Sequence, residues 1–177
     1  LSCYHLNMKT IVIYKSITGF TKKYAEWIAD ELQADILEQK QVTKAVLEQY
    51  STIIYGGGVH AIGIAGFPKF RLLLHSLKSK QLIVFAVGAS PEKEGLLDML
   101  RKHNLKDIEA TMFYFRGGFN FHKLTPWYKF LMYIFVSVIK RKKHKTSEER
   151  QILSNYEHPV DYTNRDTIRD LVEYVRK

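Results

Sequence analysis

The sequence has one cysteine, Cys3, in 177 residues. That excludes an internal disulfide, a cysteine-built zinc cluster and a thiol relay, and it suits a reducing compartment, so a cytoplasmic address is expected. No metal site is expected. Long apolar runs are also lacking: the longest, FLMYIFVSVI at 130–139, falls far short of the roughly 20 residues that span a bilayer. Acidic residues are scarce, 18 against 27 Lys and Arg, giving a formal charge of +9. This imbalance favours an anionic partner such as nucleic acid, a membrane surface or an acidic protein, without choosing among them. Internal repeats, low-complexity tracts and interdomain linkers are absent, so a single domain over 8–177 is expected. The first seven residues, LSCYHLN, have neither the apolar core nor the cleavage pattern of a signal peptide and read as an upstream extension.

What is present is a hydrophobic content of 46% with 13% aromatics, enough for a packed core. TIVIY at 10–14 has strand composition, and Tyr24, Ala25, Ile28, Ala29 and Leu32 follow at helical spacing. DILEQ at 35–39 and KAVLEQ at 44–49 form a weaker strand and a short helix. STIIYGGG at 51–58 is a strand ending in glycines, followed by a helix from Pro68 with Phe70, Leu73, Leu74 and Leu77 on one face. QLIVFAVGAS at 81–90 is the most apolar strand, and Pro91 to Glu94 suit the first turn of the helix after it. ATMFYF at 110–115 is a fifth strand, and a last helix runs from Arg165 with Thr163 or Asn164 as its cap. Strands that read as continuous apolar runs, alternating with helices, predict an α/β three-layer sandwich with a parallel sheet. Residues 116–160 break the alternation and read as an insertion before the last helix.

In such sheets ligands sit beyond the carboxyl ends of the strands, where strand order reverses. Three loops leave those ends: 15–21, 56–66 and 88–91. The first leads into a helix, whose free N–H groups and dipole favour an anion, and Ser16, Thr18 and Thr21 add hydroxyls around Gly19. Alternatively, Thr21 merely caps the helix and Gly19 merely turns the chain. Neither G-x-x-x-x-G-K-[ST] nor G-x-G-x-x-G occurs, which argues against nucleoside triphosphates and dinucleotides. A receiver domain would need carboxylates where Tyr14-Lys15 and Tyr55-Gly56 stand. A small tyrosine phosphatase would need a cysteine in the first loop, and a serine hydrolase G-x-S-x-G where the sequence reads G-A-S-P-E.

The pattern Ser16-x-Thr18-Gly19-x-Thr21, with a strand before it and a helix after it, resembles the phosphate loop of the flavodoxin family. The resemblance implies a flavodoxin-like sandwich with a five-stranded parallel sheet of order 2-1-3-4-5, and FMN as cofactor. On that resemblance Ser16, Ile17, Thr18, Gly19, Phe20 and Thr21 hold the FMN phosphate. Gly57, Gly58, Val59 and His60 line the isoalloxazine from one side, and Gly88, Ala89 and Ser90 from the other. One departure stands out: 56–66 carries no aromatic ring apart from the His60 imidazole, and 88–100 carries none. His60 reads either as a flavin contact or as an ordinary loop histidine.

The insertion, with Gly117-Gly118 and then Trp127-Tyr128 before an apolar stretch and Lys140 to Lys145, resembles the menaquinone-dependent protoporphyrinogen dehydrogenase branch of flavodoxin-like proteins. That resemblance implies an FMN-dependent oxidoreductase with porphyrinogen and quinone as substrates. The alternative is an electron-transfer protein without its own organic substrate, and a third reading is a non-enzymatic domain that has lost the flavin. Residues 127–145 read either as a core helix with a solvated basic end or as a peripheral membrane contact, which would place the protein at the inner membrane surface. No nucleic-acid module is recognisable, so nucleic acid is not an expected partner. No catalytic residue is identified and no oligomeric state follows.

Overall fold

The computed structural model of the chain describes residues 9–74 and 80–177. The N-terminal extension and Leu77 lie outside the described residues. Five strands, β1 (Thr10–Lys15), β2 (Asp35–Glu38), β3 (Thr52–His60), β5 (Gln81–Gly88) and β6 (Thr111–Arg116), form a parallel ladder in the order β2-β1-β3-β5-β6. This is the expected 2-1-3-4-5 order once β4 (Gly63–Ile64) is left out of the count, because β4 only folds back antiparallel on the end of β3.

Alternation along each strand feeds two cores. Ile11, Ile13, Ile53, Tyr55, Leu82, Val84 and Ala86 face one layer, made by α2 (Lys44–Glu48), α3 (Phe67–Leu74) and α4 (Leu96–Asn104). Val12, Ile54, Ile83, Phe85 and Val87 face the other, where α1 (Phe20–Leu32) supplies Tyr24, Ala25, Ile28 and Ala29, and α7 (Arg169–Arg176) supplies Leu171 and Val172. A sheet covered on both faces needs apolar residues at every position, which accounts for the continuous apolar runs of β3 and β5.

Two helices start several residues later than the sequence reading placed them. Residues 91–94 are loop, because Gly95 takes a positive φ of 77° and α4 starts only at Leu96. The final helix is preceded by a 3-10 turn, Arg165–Ile168, capped by the Asn164 side chain, which accepts from the Asp166 N–H.

The insertion consists of β7 (Gly118–Phe119), α5 (Pro126–Arg141), α6 (Ser147–Glu157) and β8 (Val160–Asp161), with β7 and β8 paired antiparallel. A core-helix reading of α5 does not hold, since only Val136 and Ile139 on it are buried. Trp127, Phe130, Leu131, Tyr133, Ile134, Phe135 and Val138 are exposed, Trp127 to 64% and Tyr133 to 63%.

Gly56 is a packing residue. A Cβ there would stand 2.0 Å from Cζ of the fully buried Phe85 on the neighbouring strand. Gly56→Ala is expected to destabilise the protein by about 1–3 kcal/mol through overpacking. Urea unfolding should show a lowered midpoint, partly restored when Phe85→Leu is added, since the two changes share one contact.

Candidate functional site

β1, β3 and β5 end side by side, and the strand order reverses between β1 and β3. The turn after β1 runs into α1 through Gly19, which takes a left-handed φ of 97° that a residue with a Cβ adopts only at a cost. No side chain caps this helix, so Thr21 does not play the capping role. Ser16 Oγ instead accepts from the Gly19 N–H at 3.1 Å. The first intrahelical bond runs from Lys23 N–H to Gly19 O, so the N–H groups of Phe20, Thr21 and Lys22 have no helical carbonyl to bond. No acid occupies this first turn. The Thr21 residue is largely buried, but its hydroxyl reaches a cavity and has no hydrogen-bond partner among the described residues, and neither has that of Thr18. Both residues line that cavity, of about 190 Å³, and Lys15, the last residue of β1, lines it with them.

The second wall is the β3–β4 hairpin. Val59 pairs with Ile64 and His60 with Gly63 around a tight turn in which Ala61 has a positive φ of 56°. Asn104, buried at the end of α4, clamps this turn. Its Oδ1 accepts from Ile64 N–H at 2.9 Å, and its Nδ2 donates to Ile62 O and to Leu100 O, each at 2.8 Å. Tyr55 Oη donates to Ala65 O at 2.8 Å, and its burial pushes the phenol well above the ordinary tyrosine range. The third wall, the loop after β5, is tied down from β6: Gly117 N–H donates to Gly88 O at 2.7 Å, and Tyr114 Oη donates to Ser90 O at 2.7 Å. Burial, reinforced by Glu92 and opposed by Arg116, pushes the Tyr114 phenol up to about 12, so it stays a donor at neutral pH.

Nine of the expected residues line the same cavity: Ile17, Thr18, Phe20 and Thr21 from the first loop, Gly58, Val59 and His60 from the second, Gly88 and Ala89 from the third. Four do not. The Ser16 hydroxyl turns back on its own loop, and Gly19 only turns the chain. Gly57 is packed against Ile64, where a Cβ would come within 2.5 Å of Cγ2. Ser90 faces a neighbouring cavity. Sequence reasoning did not name Lys15, Ala65, Val87, Phe119, Leu124 and Met132 as lining residues, and it singled out Gly118 and Tyr128 only through the insertion's resemblance. Tyr128 on α5 stacks on His60, ring centres 5.0 Å apart and planes 18° from parallel. The ring that the 56–66 loop lacks is thus brought from the insertion. Burial lowers the His60 pKa below the ordinary histidine value, which favours the neutral imidazole at pH 7.

A cation, free helix N–H groups and two hydroxyls at one end, with stacked rings and aliphatic side chains at the other, can hold a flat molecule that ends in a phosphate. The flavodoxin domain family matches residues 11–147, which is most of the chain and includes all three loops. The chain belongs to the flavodoxin domain family. An uncharacterized protein from Methanocaldococcus jannaschii is 43% identical over 101 residues, 56% of this chain and 67% of that protein. Among solved structures, oxidised flavodoxin 2 from Bacillus cereus overlaps with a TM-score of 0.49 at 19% identity, covering 61% of this chain and 84% of that one. A flavoprotein from Lactobacillus acidophilus, in complex with FMN, overlaps at 0.43 with 17% identity, covering 62% and 92%. Membership rests on the match over 11–147 and not on these overlaps.

The Asn104 clamp is the hinge of this flavodoxin domain's second wall. Asn104→Ala leaves Ile64 N–H and Ile62 O without their partner, at an expected cost of about 1–3 kcal/mol in stability. Hydrogen exchange should become faster at 59–64 than in the β1 and β5 ladders. Unchanged protection in the hairpin would show that Asn104 does not hold it.

Proposed function

We propose that this flavodoxin domain binds FMN in the cavity at the ends of β1, β3 and β5 and works as an FMN-dependent oxidoreductase. The observation that carries the reading is the pair of unpartnered hydroxyls, Thr18 and Thr21, beside free helix N–H groups and Lys15. Together they supply donors and positive charge for a phosphate, at the place where this class of sheet holds its ligands. The opening is kept clear by Gly58: a Cβ there would sit in the space between Thr21 Oγ1, 3.7 Å away, and His60 Nε2, 3.8 Å away. FMN, when bound, supplies electron and hydride chemistry. The chain's own part is to orient and seal. Backbone groups of Gly58, Gly88 and Ala89 face the cavity, the neutral His60 ring and Tyr128 offer flat apolar surface, and Leu124 and Met132 exclude water.

FMN fluorescence should be quenched on titration into the full chain, and Thr18→Val with Thr21→Val should weaken binding by about tenfold or more, as loss of charge-assisted hydrogen bonds does. Riboflavin binding as tightly as FMN, or no flavin binding at all, would overturn the phosphate assignment.

The insertion favours an enzyme of the porphyrinogen dehydrogenase type, with a quinone as acceptor, over a carrier. A carrier needs only an exposed ring edge, whereas here α5 closes over the cavity through Tyr128 and Met132. Anaerobic turnover with protoporphyrinogen and a soluble quinone separates the two readings. The exposed apolar side chains of α5, followed by Lys140, Arg141, Lys142 and Lys143, favour contact with an anionic lipid surface; Lys140 and Lys142 pair with Glu157 and Glu149, and each basic residue left without an acidic partner contributes about 1 kcal/mol. The protein is expected to sediment with vesicles containing phosphatidylglycerol and to stay in solution with purely zwitterionic ones. Replacing those four basic residues with Gln should release it. Sedimentation that ignores both changes would remove the electrostatic part of the reading.

A further inference from the structure

A second cavity, of about 390 Å³, lies beside the first and shares Ala89, Phe119 and Met132 with it. Its walls come from the 88–91 loop, the end of β6 and the facing sides of α5 and α6. Pro91, Phe119, Met132, Phe135 and Ile152 make it mainly apolar. Its volume falls in the range of small-molecule sites.

The charges in it are unbalanced. Lys93 and Glu148 pair with each other across its edge and cancel. Arg116 has no carboxylate partner among the described residues. Its guanidinium carbon lies over the Tyr162 ring, 3.7 Å from the ring centre, and its Nε donates to Ala89 O at 3.4 Å. A guanidinium held in place by a ring and a carbonyl, with donors left over, is preorganised for a planar carboxylate. Gln151 and Asn155 on α6 add polar groups to the same chamber.

We propose that this second cavity is the site of the flavoprotein's organic reaction partner, and that it takes an apolar ring system carrying a carboxylate. The rings lie among Phe119, Met132, Phe135 and Ile152, and the carboxylate meets Arg116. The assignment as a reaction site rests on the reading of the first cavity as the FMN site, since only the residues shared by the two cavities part them. The binding chemistry does not depend on that reading.

The test uses anthracene-2-carboxylate and its neutral amide as probes, titrated into the FMN-saturated full chain by calorimetry. The acid should bind at least about tenfold more tightly than the amide, the usual scale of a charge-assisted pair. Arg116→Gln should erase that difference, Arg116→Lys should keep part of it, and Ile152→Trp, which fills the chamber from α6, should abolish binding of both. FMN affinity within about twofold of the parent shows that each variant is folded, because neither residue lines the first cavity. Equal binding of acid and amide, or acid binding untouched by both Arg116→Gln and Ile152→Trp, would overturn the proposal and place the probe on the exposed face of α5. If the chain takes up no FMN, the reading of the first cavity fails, and the same titration on the flavin-free chain still decides the second.

Discussion

Parallel pairing in register between β1, β3 and β5 is the constraint on which the site depends. Lys15 lies opposite Gly57, Gly57 opposite Ala86 and Gly58 opposite Val87, so three strands deliver their last residues to one level. A parallel ladder needs each connection to cross over a face, and the strand reversal beside β1 sends neighbouring crossovers to opposite faces. The crevice left between them opens onto the start of α1, the β3–β4 hairpin and the loop after β5. Gly56 leaves room for the Phe85 ring of β5, which lies where a Cβ at that position would stand.

Each wall of the crevice is then fixed by a polar tie from another element. Asn104 holds the hairpin from α4, Tyr114 holds the 88–91 loop from β6, and Tyr24 Oη, donating to Arg116 O at 2.7 Å and accepting from Asn164 N–H at 3.2 Å, joins α1 to the end of β6 and to the turn before α7. The Thr18 and Thr21 hydroxyls and the N–H groups at the start of α1 are left out of this network. In an otherwise satisfied interior, unused donors that open on a cavity point to a ligand. α5 contributes in the opposite sense, giving Tyr128 and Met132 to the crevice while leaving most of its large side chains in solvent.

Much of this was legible in the chain. The five ladder strands and most helices follow from local periodicity, and the strand-turn-helix at 10–32 marks the end of the crevice where the free helix N–H groups lie. Where the reading slipped, a backbone detail intervened. Pro91 to Glu94 has the composition of a helix start, but the left-handed Gly95 delays the helix by a turn. Residues 127–145 have the composition of a core helix, yet the sheet faces were already filled by α1, α7 and α2 to α4, so nothing was left to bury α5. Lys15 was passed over because it stands one residue before the hydroxyl-rich turn, at the last position of β1.

The sequence alone determined the alternation of strands and helices, the order in which the loops arise and the hydroxyl-rich strand-to-helix turn at 16–21, because these rest on spacing within a few residues. Tertiary structure alone decided that His60 meets Tyr128, that Asn104 clamps the hairpin and that Arg116, beside a second chamber, has no counter-charge among the described residues. Those are contacts between elements far apart in the chain. No local pattern encodes them, since they depend on how the sheet's register and the packing of its covering helices bring surfaces together.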